Sequence, residues 1–318
     1  MSARPAAGRA ADGLREEVLA GLRAERKTLH PKLFYDARGA ALFDLITTLD
    51  EYYLTGAEVE ILRAHGSAIA ALAGPRCALL EYGSGAGVKV RLLLDAFAAA
   101  GTPIVSYVPI DISREQLGSV AAQLAAEYPG VPVHPVWADY TAPLDLPDLP
   151  QRARRIAFFP GSTIGNFHPA EATAFLRRIR RTVADDGGLV LGVDRRKDRR
   201  VLEAAYNDAA GVTAAFNRNV LVRINRELGA DFDPSRFGHR AVFDDEASRI
   251  EMHLVSLDRQ AVRVGDTAIE FEPGETIWTE SSYKFDLPRL AGLAEASGFR
   301  IERLWTDRDE RFWVGFLT

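Results

Sequence analysis

Cys77 is the only cysteine in 318 residues. One thiol cannot close an intramolecular disulfide or build a cysteine-based zinc site, so a reducing, cytoplasmic setting is expected. Long apolar runs are also missing: none approaches the ~20 residues of a membrane span. The first twelve residues, MSARPAAGRAAD, lack the apolar core of a signal peptide and read as a loose tail. None of the six histidines has a partner at metal-ligand spacing, so His168 and His253 read as helix-start and strand residues and no metal is expected. Nor is there an excess of positive charge. The formal charge of -5 disfavours nucleic acid, and the arginine runs at 177–181 and 195–200 carry no interleaved aromatics for base stacking. A soluble protein is expected, away from membranes and nucleic acids; a monomer acting on a small-molecule partner is a separate expectation.

What is present is a strand–helix alternation. A first amphipathic helix is expected after an Asp12 N-cap, with Leu14, Val18, Leu19 and Leu22 on one side. From about Gly66, apolar runs at 77–82, 104–110, 131–136, 155–159 and 188–193 alternate with helical stretches such as 88–100 and 169–183. Five such runs imply a parallel sheet covered on both faces, doubly wound by right-handed crossovers. The alternation stops near Asp198. A helix with Val212, Phe216, Val220 and Ile224 follows, then a strand-rich stretch over 241–277, a helix at 287–297 and two closing strands. The expected organisation is a sheet domain of residues 61–199, to which 286–318 return. Residues 1–60 and 200–285 form a second α+β lobe.

Glu81-Tyr82-Gly83-Ser84-Gly85-Ala86-Gly87 ends the first sheet strand. Its glycines let the backbone turn tightly against a ligand. The dinucleotide fingerprint needs a glycine where Val88 stands, and no Walker Lys-Ser/Thr pair follows, which speaks against a nicotinamide oxidoreductase or a P-loop. The second strand ends in Pro109-Ile110-Asp111, the third in Ala138-Asp139-Tyr140. Each acid can cap the next helix; together, at successive strand ends, they suit ribose hydroxyls and an adenine.

Further segments extend beyond the sheet: Phe34-Tyr35-Asp36, Glu51-Tyr52-Tyr53, residues 161–166 (GSTIGN), Tyr206-Asn207-Asp208, 212–219 (VTAAFNRN) and 279–285 (TESSYKF). In this order, from about Leu29 to the C-terminus, the chain resembles the histidine-specific Nα-methyltransferases of ergothioneine biosynthesis. The resemblance implies a Rossmann-like class I methyltransferase sheet with a substrate-binding lobe, and S-adenosyl-L-methionine as co-substrate. It also implies three successive transfers to the α-amino group of L-histidine, giving hercynine. The alternative is N-methylation of another aromatic amino acid or small amine.

On that resemblance Gly83, Gly85, Lys89, Asp111, Asp139 and Tyr140 are expected at the cofactor, and Tyr52, Asn166, Tyr206, Glu280, Ser281 and Ser282 at histidine. Tyr35 falls near the reacting amine and the cofactor, and Tyr35 and Asn166 are the expected catalytic pair. The chemistry is consistent with these roles. Glu280 and Ser282 are two apart, so on a strand they share a face, where a carboxylate can accept an imidazole N–H and a hydroxyl can serve the other ring nitrogen. No dedicated strong base is expected, with Tyr35 or water carrying the proton away.

Overall fold

A computed structural model of the chain describes residues 4–318, with side chains from Gly13 onward. The chain divides into two compact units, one holding the N-terminal residues through Tyr52 with Asp198–Ser281, the other holding Tyr53–Lys197 with Ser282–Thr318.

The second unit is built on a seven-stranded sheet. Its strands are β1 (Cys77–Tyr82), β2 (Ser106–Asp111), β3 (Val136–Trp137), β4 (Arg154–Phe159), β5 (Gly188–Asp194), β11 (Ile301–Thr306) and β12 (Phe312–Leu317). The spatial order is β11-β12-β5-β4-β1-β2-β3. β1 pairs in parallel with β2 and β4, and β4 with β5, whereas β12 runs antiparallel to both β5 and β11. The order reverses between β1 and β4, and doubly wound sheets take their ligands at the carboxyl ends of the strands beside such a switch point.

Every residue of β1 and β5 is buried. A strand buried on both faces needs helices on both sides. These include α3 (Tyr53–Ala73), α4 (Val88–Ala99), α5 (Arg114–Glu127), α6 (Pro169–Val183) and α9 (Leu287–Ala296). The apolar stripe of α6 (Ala172, Phe175, Leu176, Ile179, Val183) buries against β4 and β5. Each fully buried large side chain contributes about 1.5–3 kcal/mol. His168 is the N-cap of α6, in a capping box with Glu171. Cys77 is fully buried and burial pushes its thiol up to about 12, so it is an inert small hydrophobe.

The first unit contains α1 (Arg4–Arg23), α2 (Ala37–Ile46), α7 (Arg199–Ala204), α8 (Val212–Leu228), and strands β6 (Phe237–Asp244), β7 (Arg249–Ser256), β8 (Gln260–Val264), β9 (Thr267–Phe271) and β10 (Thr276–Tyr283), the last running on into the other unit. β10, β7 and β6 form one sheet, with β6 and β7 an antiparallel hairpin; β8 and β9 form a second hairpin. His253 lies in β7.

Two sequence expectations are corrected. Helix α1 begins at Arg4, so Asp12 lies inside it and not at its start. Of the expected loose tail only residues 1–3 lie outside the described residues. Alanines 6, 7, 10 and 11 have the highest helix propensity of any residue, which favours extending the helix. The third strand is Val136–Trp137 and not 131–136. Pro132 and Pro135 lack the N–H that a ladder needs, and only Val133 makes a bridge, to Tyr107.

Candidate functional site

In the sheet unit, the glycine loop, Asp111, Asp139 and Tyr140 come together at the carboxyl edge. The Gly83 N–H donates to the Ile110 carbonyl at 2.8 Å, which ties the loop to the end of β2. Gly85 has φ +47° and turns its N–H to Asp111 Oδ2 at 3.2 Å. A Cβ built at Gly85 meets nothing within 4 Å, so the loop leaves open space there. The buried Ser84 hydroxyl of the same loop has no hydrogen-bond partner among the described residues. Asp111 also accepts the Ser113 N–H at 2.9 Å, and Asp139 the Thr141 N–H at 2.9 Å. These are turn bonds to the residue two positions on and not helix caps, since Ser113 is the N-cap of α5 and β4 is the next element after Asp139, and Asp111 adds a bond across to the loop. The Tyr140 ring lies 3.7 Å from the Cβ position of Gly83, and burial together with Asp111 and Asp139 pushes its phenol up, leaving a neutral donor. An open backbone turn with an orphaned hydroxyl, two acids and an aromatic face fits a nucleoside bearing a ribose diol and a purine.

Beneath the loop, Glu81 is buried and accepts a short hydrogen bond from the Tyr107 hydroxyl. Burial pushes its carboxyl up to about 8 against the pull of Tyr107 and Lys89.

Lys89, in the first turn of α4, is held by Glu58 of α3 at 2.6 Å. Glu58 is fully buried and also accepts the Gly161 N–H at 2.9 Å and 3.1 Å. Gly192 makes room for it, because a Cβ there would lie 2.2 Å from Glu58 Oε1. The sequence reading passed over Glu58. Its only signal was a glutamate among the apolar residues Ala57, Ile61 and Leu62.

A second missed group closes the end of β5. Asp194 is fully buried and accepts the Tyr53 hydroxyl at 2.8 Å and 2.9 Å and the Lys284 ammonium at 2.8 Å, with Lys197 as a further partner. Lys284, itself fully buried, donates to Ser282 Oγ at 2.9 Å. Burial opposes ionisation of Asp194, but Lys284 and Lys197 outweigh it and hold the carboxyl below its ordinary range. Burial also pushes the Lys197 ammonium down to about 8 against the pull of Asp194. Ser282 is thus fixed by a buried ion pair. Asn166 ends the short 3-10 turn Thr163–Asn166 after β4.

In the other unit, three of the expected residues meet in one aromatic cluster. Phe43 of α2 packs edge-on against Tyr35 at 6.0 Å and Tyr52 at 6.1 Å between ring centres, and Tyr52 packs against Tyr206 at 6.2 Å. Edge-to-face pairs at such distances are worth about 0.5–1.5 kcal/mol beyond area burial and hold ring directions. Phe43 was not singled out from the sequence, where it reads as one apolar residue of a short helix. Glu280 and Ser281 are buried on β10, with the Glu280 carbonyl accepting the Trp278 indole N–H at 2.8 Å.

Among the described residues no group of three or more His, Cys, Asp or Glu is placed to hold a metal ion, and no helix is long and apolar enough to cross a membrane.

Residues 14–318 match the family described as "Histidine-specific methyltransferase, SAM-dependent". The chain belongs to this family. It is 46% identical over 305 residues to the histidine N-alpha-methyltransferase of Mycolicibacterium smegmatis, across 95% of this chain and 94% of that protein. Ergothioneine biosynthesis protein 1 of Neurospora crassa is 35% identical over 284 residues, which is 87% of this chain and 32% of that longer protein. Among solved structures, a possible exported protein from Bordetella parapertussis is 14% identical with a TM-score of 0.50, over 100% of this chain and 98% of that one, a likeness of fold alone. The resemblance read from the sequence, the sheet class and the S-adenosylmethionine-dependent chemistry are borne out for this member of the histidine-specific methyltransferases.

Proposed function

We infer that this protein transfers methyl groups from S-adenosylmethionine to the α-amino nitrogen of L-histidine, three times in succession, to give hercynine for ergothioneine biosynthesis. The observation that carries this reading is membership of the histidine-specific family over residues 14–318, supported by a near full-length relative of that name. When bound, S-adenosylmethionine supplies an electrophilic methyl on a cationic sulfur.

The protein's own task is to bind, orient and exclude water. On this reading Asp111 takes ribose hydroxyls, Asp139 and Tyr140 take the adenine, and the Gly83–Gly85 turn and Lys89 take the methionine end. For histidine, Asn166 and Tyr206 hold the carboxylate, Glu280 accepts an imidazole N–H, and Ser282, on the same strand face, serves the other ring nitrogen, with Ser281 beside them in the substrate-binding set. Tyr52 closes on the amino acid, and Tyr35 lies beside the amine. The α-ammonium must lose a proton before it can attack. An α-amino group has a pKa of about 7.7–8.0 in model peptides, so Tyr35 or water suffices as acceptor without a strong base. Alignment of nitrogen with methyl can supply several of the ~7–11 kcal/mol available from proximity. A monomer in the cytoplasm is part of the same reading, and light scattering checks the monomer.

The deciding experiment is calorimetry of histidine binding in the presence of S-adenosylhomocysteine, followed by mass spectrometry of the turnover product. Binding and a trimethylated product are expected; turnover of another aromatic amine with histidine untouched overturns the assignment. Asp111→Ala separately tests the cofactor half. Removing two hydrogen bonds to a charged group, each worth about 1.5–3 kcal/mol, is expected to weaken S-adenosylhomocysteine by about 150-fold or more by calorimetry. A change under about 3-fold would remove Asp111 from the cofactor site.

A further inference from the structure

Tyr206 lies just past the end of α7, where a backbone carbonyl has neither helix nor ladder to bond it. The structure supplies a side chain instead. His239 Nε2, from β6, sits 2.8 Å from the Tyr206 carbonyl oxygen. A carbonyl only accepts, so Nε2 carries the hydrogen, and the neutral ring presents a lone pair at Nδ1. Facing Nδ1 at 2.9 Å is the amide nitrogen of Asn217, a fully buried residue of α8. The same amide nitrogen donates to the His253 carbonyl at 3.1 Å, which fixes it as a donor. The relay thus admits one tautomer only.

The surroundings keep the ring uncharged. Burial is the largest influence and pushes His239 below its ordinary range; Arg218 adds to this, while Asp208 and the Tyr206 carbonyl pull the other way. The rest of the turn is stapled in the same manner. The Asn207 side chain exchanges two 3.0 Å bonds with the backbone of Ala241, and Asp208 accepts the Val212 and Thr213 N–H groups at 2.8 Å and 2.7 Å. Residue 206 alone depends on an imidazole.

We propose that His239, held in its Nε2–H tautomer by Asn217, is a positioning residue that aims the Tyr206 ring at the amino-acid substrate. This rests on the assignment of Tyr206 to histidine made above. A wild-type enzyme that fails to methylate histidine defeats that assignment, whereas an active wild type whose His239 variants behave normally defeats only the present one.

The test measures KM for histidine, kcat and S-adenosylhomocysteine affinity in His239→Phe, His239→Gln, Tyr206→Phe and the double His239→Phe/Tyr206→Phe variant. His239→Phe keeps a ring but loses the donor, and its KM is expected to rise about 10-fold, the value of one such bond. kcat and cofactor affinity should stay within about 3-fold. His239→Gln restores an N–H and should recover most of the loss. The double variant should be no worse than Tyr206→Phe alone, because His239 acts through that residue. An unchanged KM in His239→Phe, full additivity in the double variant, or a Gln variant no better than Phe overturns the proposal. Should His239→Phe fail to fold, Asn217→Leu, which lets the ring move its proton to Nδ1, must show the same KM rise; a wild-type KM there is equally fatal.

Discussion

Lys284→Met is expected to lower the unfolding free energy by about 3–5 kcal/mol, the cost of stranding one partner of a buried ion pair. The figure follows from the surroundings. Lys284 and Asp194 are both fully buried and 2.8 Å apart. Tyr53 and Lys197 still reach the carboxylate, which favours the lower end of the range. A urea titration should show the midpoint fall with an unchanged slope. Adding Asp194→Asn to Lys284→Met should recover part of the loss, since an amide still accepts from Tyr53 and carries no charge. The pH dependence has a definite sign. Asp194 is held below the ordinary aspartate range, so its contribution is present above that range and is lost as pH falls through the depressed value. In the variant the acid-unfolding limb should move to higher pH. A wild-type midpoint and acid limb would show that the pair is dispensable.

The same pair shows why part of the site escaped the sequence. The bounds of β1 and α6 were readable residue by residue, because an unbroken apolar run and a 3.6-residue stripe behind a proline depend on local chemistry alone. The glycine loop and the strand-end acids were readable for the same reason, as each lies where a strand stops. Asp194 and Lys284 are ninety positions apart, and Glu58 reaches Lys89 and Gly161 from another helix. Neither constellation leaves a periodic trace, since only the folded sheet brings its members together. The third strand failed differently. Its valines carried the right alternation, but two prolines removed the donors, so hydrophobic patterning outvoted backbone chemistry. Helix α1 failed at its start because a good cap residue, Asp12, sits inside an alanine-rich segment that has no need of it.

Phe43 and His239 illustrate a further limit. Both act on residues the sequence did single out, one by packing against Tyr35 and Tyr52, the other by holding the carbonyl of Tyr206. A supporting residue has no chemistry of its own to announce it. It becomes visible only once its neighbour's position is known.

The substrate half of the assignment stands or falls with Glu280. On the proposed reading its carboxylate accepts an imidazole N–H, a charge-assisted bond worth about 1.5–3 kcal/mol, so Glu280→Ala should lower kcat/KM for histidine by roughly 10- to 150-fold. The larger consequence is for selectivity. A polar pocket rejects an apolar lookalike because its own buried group would go unpaired, and removing the carboxylate removes that penalty. Phenylalanine should then approach histidine in kcat/KM when the two compete for limiting S-adenosylmethionine. Glu280→Gln keeps an acceptor and should fall between the two. S-adenosylhomocysteine affinity should be unaffected, which separates a lost selector from a damaged fold. Glu280 lies on β10 two residues before Ser282, whose hydroxyl is fixed by Lys284. An alanine variant that still prefers histidine to phenylalanine by the wild-type margin would refute the selector role and move substrate recognition to other residues.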